Sequence, residues 1–111
     1  MFDLKNKKIY VAGHKGMVGS SIVNQLNSLN LEVLTAEKND LDLTDFSLVN
    51  NWFKKNKPEV VVIAAAKVGG IHANSSYPVQ FLLDNLKIQN NLIEISYKHD
   101  VKKLLFLDYI K

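Results

Sequence analysis

The residues best suited to chemistry in this 111-residue chain are three glycines spaced three apart, Gly13, Gly16 and Gly19, with His14 and Lys15 between the first two. An apolar run precedes them and a run of helical periodicity follows, which indicates a strand-to-helix turn. Glycines at such a turn let the backbone approach a pyrophosphate, whose charge meets the positive end of the helix. The motif predicts a dinucleotide-binding loop. The alternative is a glycine turn that only helps a helix pack on a sheet.

Each position of this glycine loop, residues 13–19, has a predicted role. Gly13 permits the tight turn, Gly16 lets the backbone approach the pyrophosphate, and Gly19 lets the helix pack closely on the strand. Met17 and Val18 offer their N–H groups at the start of the helix, and we expect their side chains to pack inward, the alternative being that they contact the cofactor. Contacts with a cofactor are therefore expected mainly from the backbone here.

Three consecutive alanines, Ala64, Ala65 and Ala66, close a β-branched run that is typical of a parallel strand buried on both faces. Ligands of open α/β sheets bind at the carboxyl ends of the strands, and small side chains there leave room for ribose and phosphates. The alternative is plain core packing, for which larger side chains would be expected. We therefore predict that the three alanines border the cofactor.

The segment after the second predicted strand carries both signs of charge, in Glu37 and Lys38. A carboxylate at this point of a dinucleotide-binding fold accepts a hydrogen bond from the ribose 2′-OH of NAD, whereas a cation accommodates the 2′-phosphate of NADP. These two residues alone leave the choice of cofactor open.

Hydrophobic periodicity predicts the elements that must position these residues. Strands alternate with helices and short loops, which indicates βαβ units in one domain over residues 1–111. We expect an α/β fold, a partial Rossmann (doubly wound) domain with a four-stranded parallel sheet of order 3-2-1-4, helices on both faces and no substrate domain. The predicted strands are 7–12, 31–35, 60–65 and 101–107, and the predicted helices are 17–29, a helix capped by Asp42 or Thr44 that ends near 57, and 78–99.

Two apolar surfaces are predicted to need a partner. The helix over 78–99 has two neighbouring stripes, one of which covers the sheet while the other faces outward. The strand over 101–107 forms a hydrophobic sheet edge. We expect a homodimer or a complementing chain to bind there. The inner stripe is Phe81, Ile88, Leu92 and Ile95, and the outer stripe is Val79, Leu82, Leu86 and Ile93.

Composition argues against several other classes. The formal net charge is +3, and the lysines are scattered among acids rather than clustered for nucleic acid. The chain has no cysteine, and its three histidines lack metal-ligand spacing, so no metal is predicted. Neither a signal-peptide core nor a bilayer-spanning apolar run is present, and we expect a cytoplasmic protein without membrane contact.

Several motifs together resemble the N-terminal part of GDP-L-fucose synthases, which are extended short-chain dehydrogenases/reductases. The most distinctive is Ala-Ala-Lys-Val-Gly-Gly-Ile at 65–71, and the likeness includes residues 13–20, 73–74, 77–78 and 101–107. Members of this family convert GDP-4-keto-6-deoxy-mannose to GDP-fucose by epimerisation and NADPH-dependent reduction. The resemblance implies the NADP(H)-binding portion of such an enzyme, which takes a GDP-sugar only when completed by the missing part.

The resemblance also implies roles for individual residues. Lys15 stands where family members carry a basic residue near the 2′-phosphate, and Lys38 replaces the arginine common after the second strand. NADP(H) is therefore favoured over NAD. Asp42 and Leu43 resemble the pair that holds the adenine amino group and ring, the alternative for Asp42 being a helix cap. His14 has a local hydrogen-bonding or a ligand-contacting role.

The chain departs from the family after its last predicted strand. Residues 108–111 replace a small-residue segment, Gly-Ser-Ser-Cys-Ile-Tyr-Pro-like, that supplies the catalytic serine, and the later Tyr-x-x-x-Lys pair has no counterpart. No catalytic residue is therefore predicted, and we expect the chain to be catalytically incomplete on its own. The alternatives are a stand-alone dinucleotide-binding or interaction module that pairs with another chain, and a non-functional remnant.

Overall fold

The computed structural model describes residues 3–64 and 78–107 of the chain. Strands and helices alternate along this part of the chain, so the α/β class predicted from the sequence is confirmed. The strands are β1 (Lys8–Ala12), β2 (Glu32–Leu34), β3 (Val60–Ile63) and β4 (Lys103–Phe106), and the helices are α1 (Met17–Ser28), α2 (Phe46–Asn56) and α3 (Pro78–Lys98).

The four strands form one parallel sheet of order β2-β1-β3-β4. The predicted order 3-2-1-4 is wrong, because β3 pairs with β1 on the side opposite to β2, with Tyr10 aligned to Val61. The physical reason lies in β3 itself. All four of its residues are buried, and a continuous β-branched strand of this kind belongs inside a sheet, whereas the predicted order would place it at an edge.

This order explains which face each helix covers. Strand β2 lies on one side of β1, and β3 lies on the other. The β1-to-β2 and β2-to-β3 connections therefore run in opposite directions across the sheet. Since both crossovers are right-handed, α1 and α2 must cover opposite faces. The core is divided accordingly. The side chains of Ile9, Val11, Val60 and Val62 pack with α1, and those of Tyr10, Ala12, Val61 and Ile63 pack with α2 and α3.

The start of α2 differs from the prediction. Neither Asp42 nor Thr44 caps it, since the N-cap is Asp45, whose carboxylate accepts the Leu48 N–H at 3.1 Å. Asp42 instead folds its Oδ1 onto Thr44, accepting the backbone N–H at 3.0 Å and the hydroxyl at 2.7 Å. This local turn keeps Asp42 in the segment between β2 and α2 and out of the helix.

The two stripes of α3 lie as predicted for the side chains that the structure describes. Ile88, Leu92 and Ile95 are buried against the sheet, whereas the outer stripe of Val79, Leu82, Leu86 and Ile93 is exposed. Strand β4 pairs with β3 at one end of the strand order, and its residues are exposed too. Among the described helices none is long and apolar enough to cross a bilayer.

Candidate functional site

A cleft of about 340 Å³ opens at the carboxyl edge of the sheet, where the segments that follow β1, β2 and β3 meet. The parallel pairing of the strands places these segments side by side. The lining residues come from β1 and its loop, the 36–44 segment, the end of β3 and α3: Tyr10, Gly13, His14, Lys15, Gly16, Ala36, Lys38, Leu41, Asp42, Leu43, Thr44, Ala64, Asp84 and Ile88.

The floor of the cleft is apolar. Tyr10, Leu41, Ala64 and Ile88 are each at most 7% exposed. The Tyr10 ring packs against Trp52 with centroids 4.4 Å apart, and its burial raises the pKa of the phenol, so it stays neutral. An apolar floor below a polar rim is the usual composition of a site for a flat organic group with polar substituents.

Two positions of the glycine loop require glycine for different reasons. Gly13 has φ of 89°, a left-handed conformation that favours glycine. A Cβ on Gly19 would lie 1.9 Å from the Gly13 carbonyl oxygen, so the close contact of α1 with the loop excludes any side chain there. By contrast, a Cβ on Gly16 would meet only that oxygen, at an ordinary 3.5 Å. Packing within the described residues therefore does not require glycine at position 16.

Helix α1 begins with its first-turn donors uncapped by any described side chain. Gly16 is the N-cap, in extended backbone at φ −70° and ψ 168°, and no acidic residue lies in the first turn. The N–H groups of this turn and the positive helix end therefore remain available for an anion. The Met17 side chain is 88% exposed, so its predicted inward packing is wrong, while Val18 is half-buried.

A carboxylate joins the loops after β1 and β2. Glu37 Oε1 lies 2.6 Å from Lys15 Nζ, and its Oε2 lies 3.2 Å from His14 Nε2. Since a carboxylate only accepts, His14 Nε2 must carry the proton in this contact. Hydrogen bonds from Lys15 and then His14 lower the pKa of Glu37, so its carboxyl group is ionised at neutral pH.

The remaining rim residues are arranged differently. Lys38 is exposed at the cleft and makes no ion pair with any described residue. Leu43 is half-buried, and its carbonyl accepts the Asn91 Nδ2–H at 2.9 Å, which ties this segment to α3. Asp42 is exposed beside it. The cleft thus has cations on the β1 and β2 loops and carboxylates on the segment before α2 and on α3.

The structure brings most of the residues predicted from the sequence to one place. Met17, Val18 and Gly19 form the adjoining first turn of α1 and do not line the cleft. Ala65 and Ala66 lie outside the described residues. The predicted residues that line the cleft are Gly13, His14, Lys15, Gly16, Lys38, Asp42, Leu43 and Ala64.

Sequence reasoning missed the partnership of Glu37 with Lys15 and His14, and the floor residues Tyr10 and Ile88. Alternation along β1 marks Tyr10 as facing one side of the sheet, but only the strand order shows which side carries the cleft. The contact of Glu37 depends on the meeting of two loops, and Lys15 and Glu37 are 22 positions apart in the sequence, so no local pattern encodes it.

The described residues form an open α/β sheet with a glycine loop, an uncapped helix start and a cleft at the carboxyl ends of the strands. The family model described as "NAD dependent epimerase/dehydratase family" matches residues 9–108. The chain belongs to this family. Its relatives include GDP-L-fucose synthase 1 of Arabidopsis thaliana, which is 51% identical over 104 residues, covering 93% of this chain and 32% of the relative.

Solved structures agree with this assignment. A GDP-mannoheptose C4 reductase from Campylobacter jejuni with NADP bound has a TM-score of 0.87 at 36% identity, over 96% of this chain and 31% of that one. A GDP-L-fucose synthetase from Naegleria fowleri bound to NADP has a TM-score of 0.79 at 27% identity, over 100% of this chain and 36% of that one. The chain therefore spans about a third of the length of the proteins it matches.

We predict that Gly19→Ala destabilises the fold by at least about 2 kcal/mol, because the new Cβ must displace the Gly13 carbonyl. Gly16→Ala should cost less than about 1 kcal/mol, since its Cβ meets only an ordinary contact. Urea unfolding followed by circular dichroism measures both changes. Equal losses in the two variants would contradict the constraint assigned to Gly19.

We also predict that the Glu37 carboxyl titrates below its ordinary value of 4.5. Lys15→Gln should raise this pKa towards that value, because the first hydrogen bond is lost. Since the folded-state pKa is lowered, any stabilisation from this contact is present above the ordinary pKa and is lost as the pH falls through the folded value. The measurement is the ¹³C chemical shift of the Glu37 carboxyl against pH.

Lys38→Gln is the matched control for this titration, because Lys38 neighbours Glu37 in sequence without an ion pair to it in the described structure. An unshifted Glu37 in the unsubstituted chain, or an equal rise in both variants, would contradict the specific contact with Lys15.

Proposed function

We propose that the cleft binds NADP(H) and that residues 1–111 form the dinucleotide-binding portion of a GDP-L-fucose synthase-like reductase of nucleotide-sugar metabolism. The observation that carries this proposal is the environment of Gly16. Packing among the described residues leaves room for a side chain there, yet the residue is glycine, lines the cleft and begins the uncapped helix α1. A pyrophosphate approaching the loop supplies a reason for glycine that packing among the described residues does not.

The residues present fit each part of the dinucleotide. The pyrophosphate would accept from the N–H groups at the start of α1. The adenine would lie on the apolar floor beside Leu43, with Asp42 accepting from its amino group. The 2′-phosphate would approach Lys38 and Lys15, and the small side chain of Ala64 leaves room for ribose and phosphate at the end of β3.

NADPH supplies a hydride for carbonyl reduction when it is bound. The part assigned to this chain is to hold and orient the dinucleotide: the glycine loop would fix the pyrophosphate, and the floor would exclude water from one face of the adenine. No described residue is assigned as proton donor to a sugar carbonyl. The resemblance to the synthases implies that this role belongs to residues after the segment equivalent to β4.

The preference for NADP over NAD has two supports. Cations from two loops stand at the rim, and 2′-phosphate recognition in this fold class uses a cation beside the second strand. Two structurally similar proteins also have NADP bound, according to their descriptions. The carboxylate of Glu37, which contacts the lining residues Lys15 and His14, argues for NAD instead.

A second candidate function is an interaction module that pairs with another polypeptide. It is favoured by the exposed side chains of Leu104, Leu105 and Phe106 on β4, which are 37–46% accessible, and by the exposed outer stripe of α3. Such a module has no need of a dinucleotide. Binding of NADPH therefore separates the two candidates.

We expect the 111-residue chain to bind NADPH saturably, with enhanced nicotinamide fluorescence and a shifted emission maximum. Gly16→Ala should weaken binding at least about tenfold while leaving the fold intact, because its Cβ occupies the space that the pyrophosphate approaches. Ser21→Ala, an exposed position within α1, is the matched control and should bind like the unsubstituted chain. A folded chain without saturable binding would exclude the proposed function.

A further inference from the structure

Two donors of the glycine loop that line the cleft, Lys15 and His14, already contact a carboxylate of the same chain. We propose that Glu37 is a specificity-determining residue that competes with the 2′-phosphate for Lys15 and His14 and so reduces the preference of the cleft for NADP over NAD. This inference rests on the proposed function, because it concerns which dinucleotide the same cleft prefers.

The backbone holds Glu37 in place at this rim. Its carbonyl accepts the N–H groups of both Asp40 and Leu41 at 2.9 Å, which forms the turn after β2. Leu41 is 3% exposed and anchors that turn in the core. Pairing of Tyr10 with Leu34 brings the loop after β1 alongside this turn. Glu37 therefore remains within reach of the glycine loop, and only its side chain is able to swing away.

The contacts of Glu37 use both of its oxygens, one on Lys15 and the other on His14. The Glu37 side chain is 51% exposed and that of Lys15 is 75% exposed, so water screens the pair. A phosphate dianion, with three acceptor oxygens, is a stronger competitor for the same donors. The 2′-phosphate is therefore able to displace Glu37 from Lys15 and His14. This displacement costs free energy that NAD, which lacks the 2′-phosphate, does not need to supply.

The negative charge of Glu37 also reduces the affinity for NADP. After displacement, the ionised Glu37 still lies on the turn next to the phosphate, and like charges at short range disfavour binding. With NAD, the carboxylate is able to accept a hydrogen bond from the ribose 2′-OH, as acidic residues after the second strand do. Glu37 thus weakens the binding of NADP, and it leaves the binding of NAD unchanged or strengthens it.

The test compares dissociation constants for NADPH and NADH, which differ only in the 2′-phosphate, by fluorescence titration of the 111-residue chain. Glu37→Gln should raise the preference for NADPH over NADH about threefold, which lies within the range expected from an exposed ion pair. Lys15→Gln should lower that preference. Adding Glu37→Gln to Lys15→Gln should then have less effect than it has alone, since the shared donor is gone.

Glu32→Gln is the matched control. It removes the same charge from an exposed carboxylate at the amino end of β2, away from the carboxyl edge that carries the cleft. Its nucleotide preference should equal that of the unsubstituted chain. An equal rise in Glu32→Gln and Glu37→Gln would show a net-charge effect and overturn the proposal.

The remaining outcomes separate this inference from the proposed function. If both nucleotides bind and Glu37→Gln leaves the preference unchanged or lowers it, Glu37 does not compete and the inference fails while the proposed function stands. If no variant binds either nucleotide, the proposed function and the inference fail together.

Discussion

The close approach of helix α1 to the Gly13 carbonyl is the constraint on which the site depends. The 1.9 Å separation that a Cβ at Gly19 would have from that oxygen shows how tightly the first turn of the helix lies on the loop. This contact fixes where α1 begins and directs its first N–H groups to the carboxyl edge of the sheet. It also fixes the loop through His14 and Lys15, which reach Glu37 on the neighbouring segment.

The position of β3 completes the site from the other side. Because β3 lies next to β1, its last residues and Ala64 stand beside the glycine loop, and α3 contributes Asp84 and Ile88 across the cleft. An edge position for β3, beyond β2, would separate these groups. The doubly wound order thus does more than shield the sheet, since it also brings the ends of three strands together at one cleft.

Local patterns in the sequence were sufficient for the fold class, the glycine loop and the two faces of α3. The order of the strands was predicted wrongly even though the sequence held a relevant signal, because Val60–Ile63 reads as a strand buried on both faces and such a strand does not belong at an edge. Sequence reasoning also missed the N-cap of α2 at Asp45. Several neighbouring residues are capable of capping α2, and backbone geometry selects one.

Site residues were predictable where a local motif carries them, as in the glycine loop. They were not predictable where two distant loops meet, as Glu37 meets Lys15. The sequence also could not distinguish Gly19, fixed by internal packing, from Gly16, which the packing of the described residues leaves unconstrained. That distinction arises from three-dimensional contacts, and it is the strongest reason to assign the cleft to a ligand.

The most direct test of the central claim is amide chemical-shift mapping of the ¹⁵N-labelled chain during titration with NADPH. The account predicts saturable shifts for Gly16, Met17 and Val18, and for Lys38 at the rim. Amides at the opposite edge of the sheet, such as that of Glu59 before β3, should stay unchanged. Saturable shifts confined to that opposite edge, or none in the glycine loop, would contradict it.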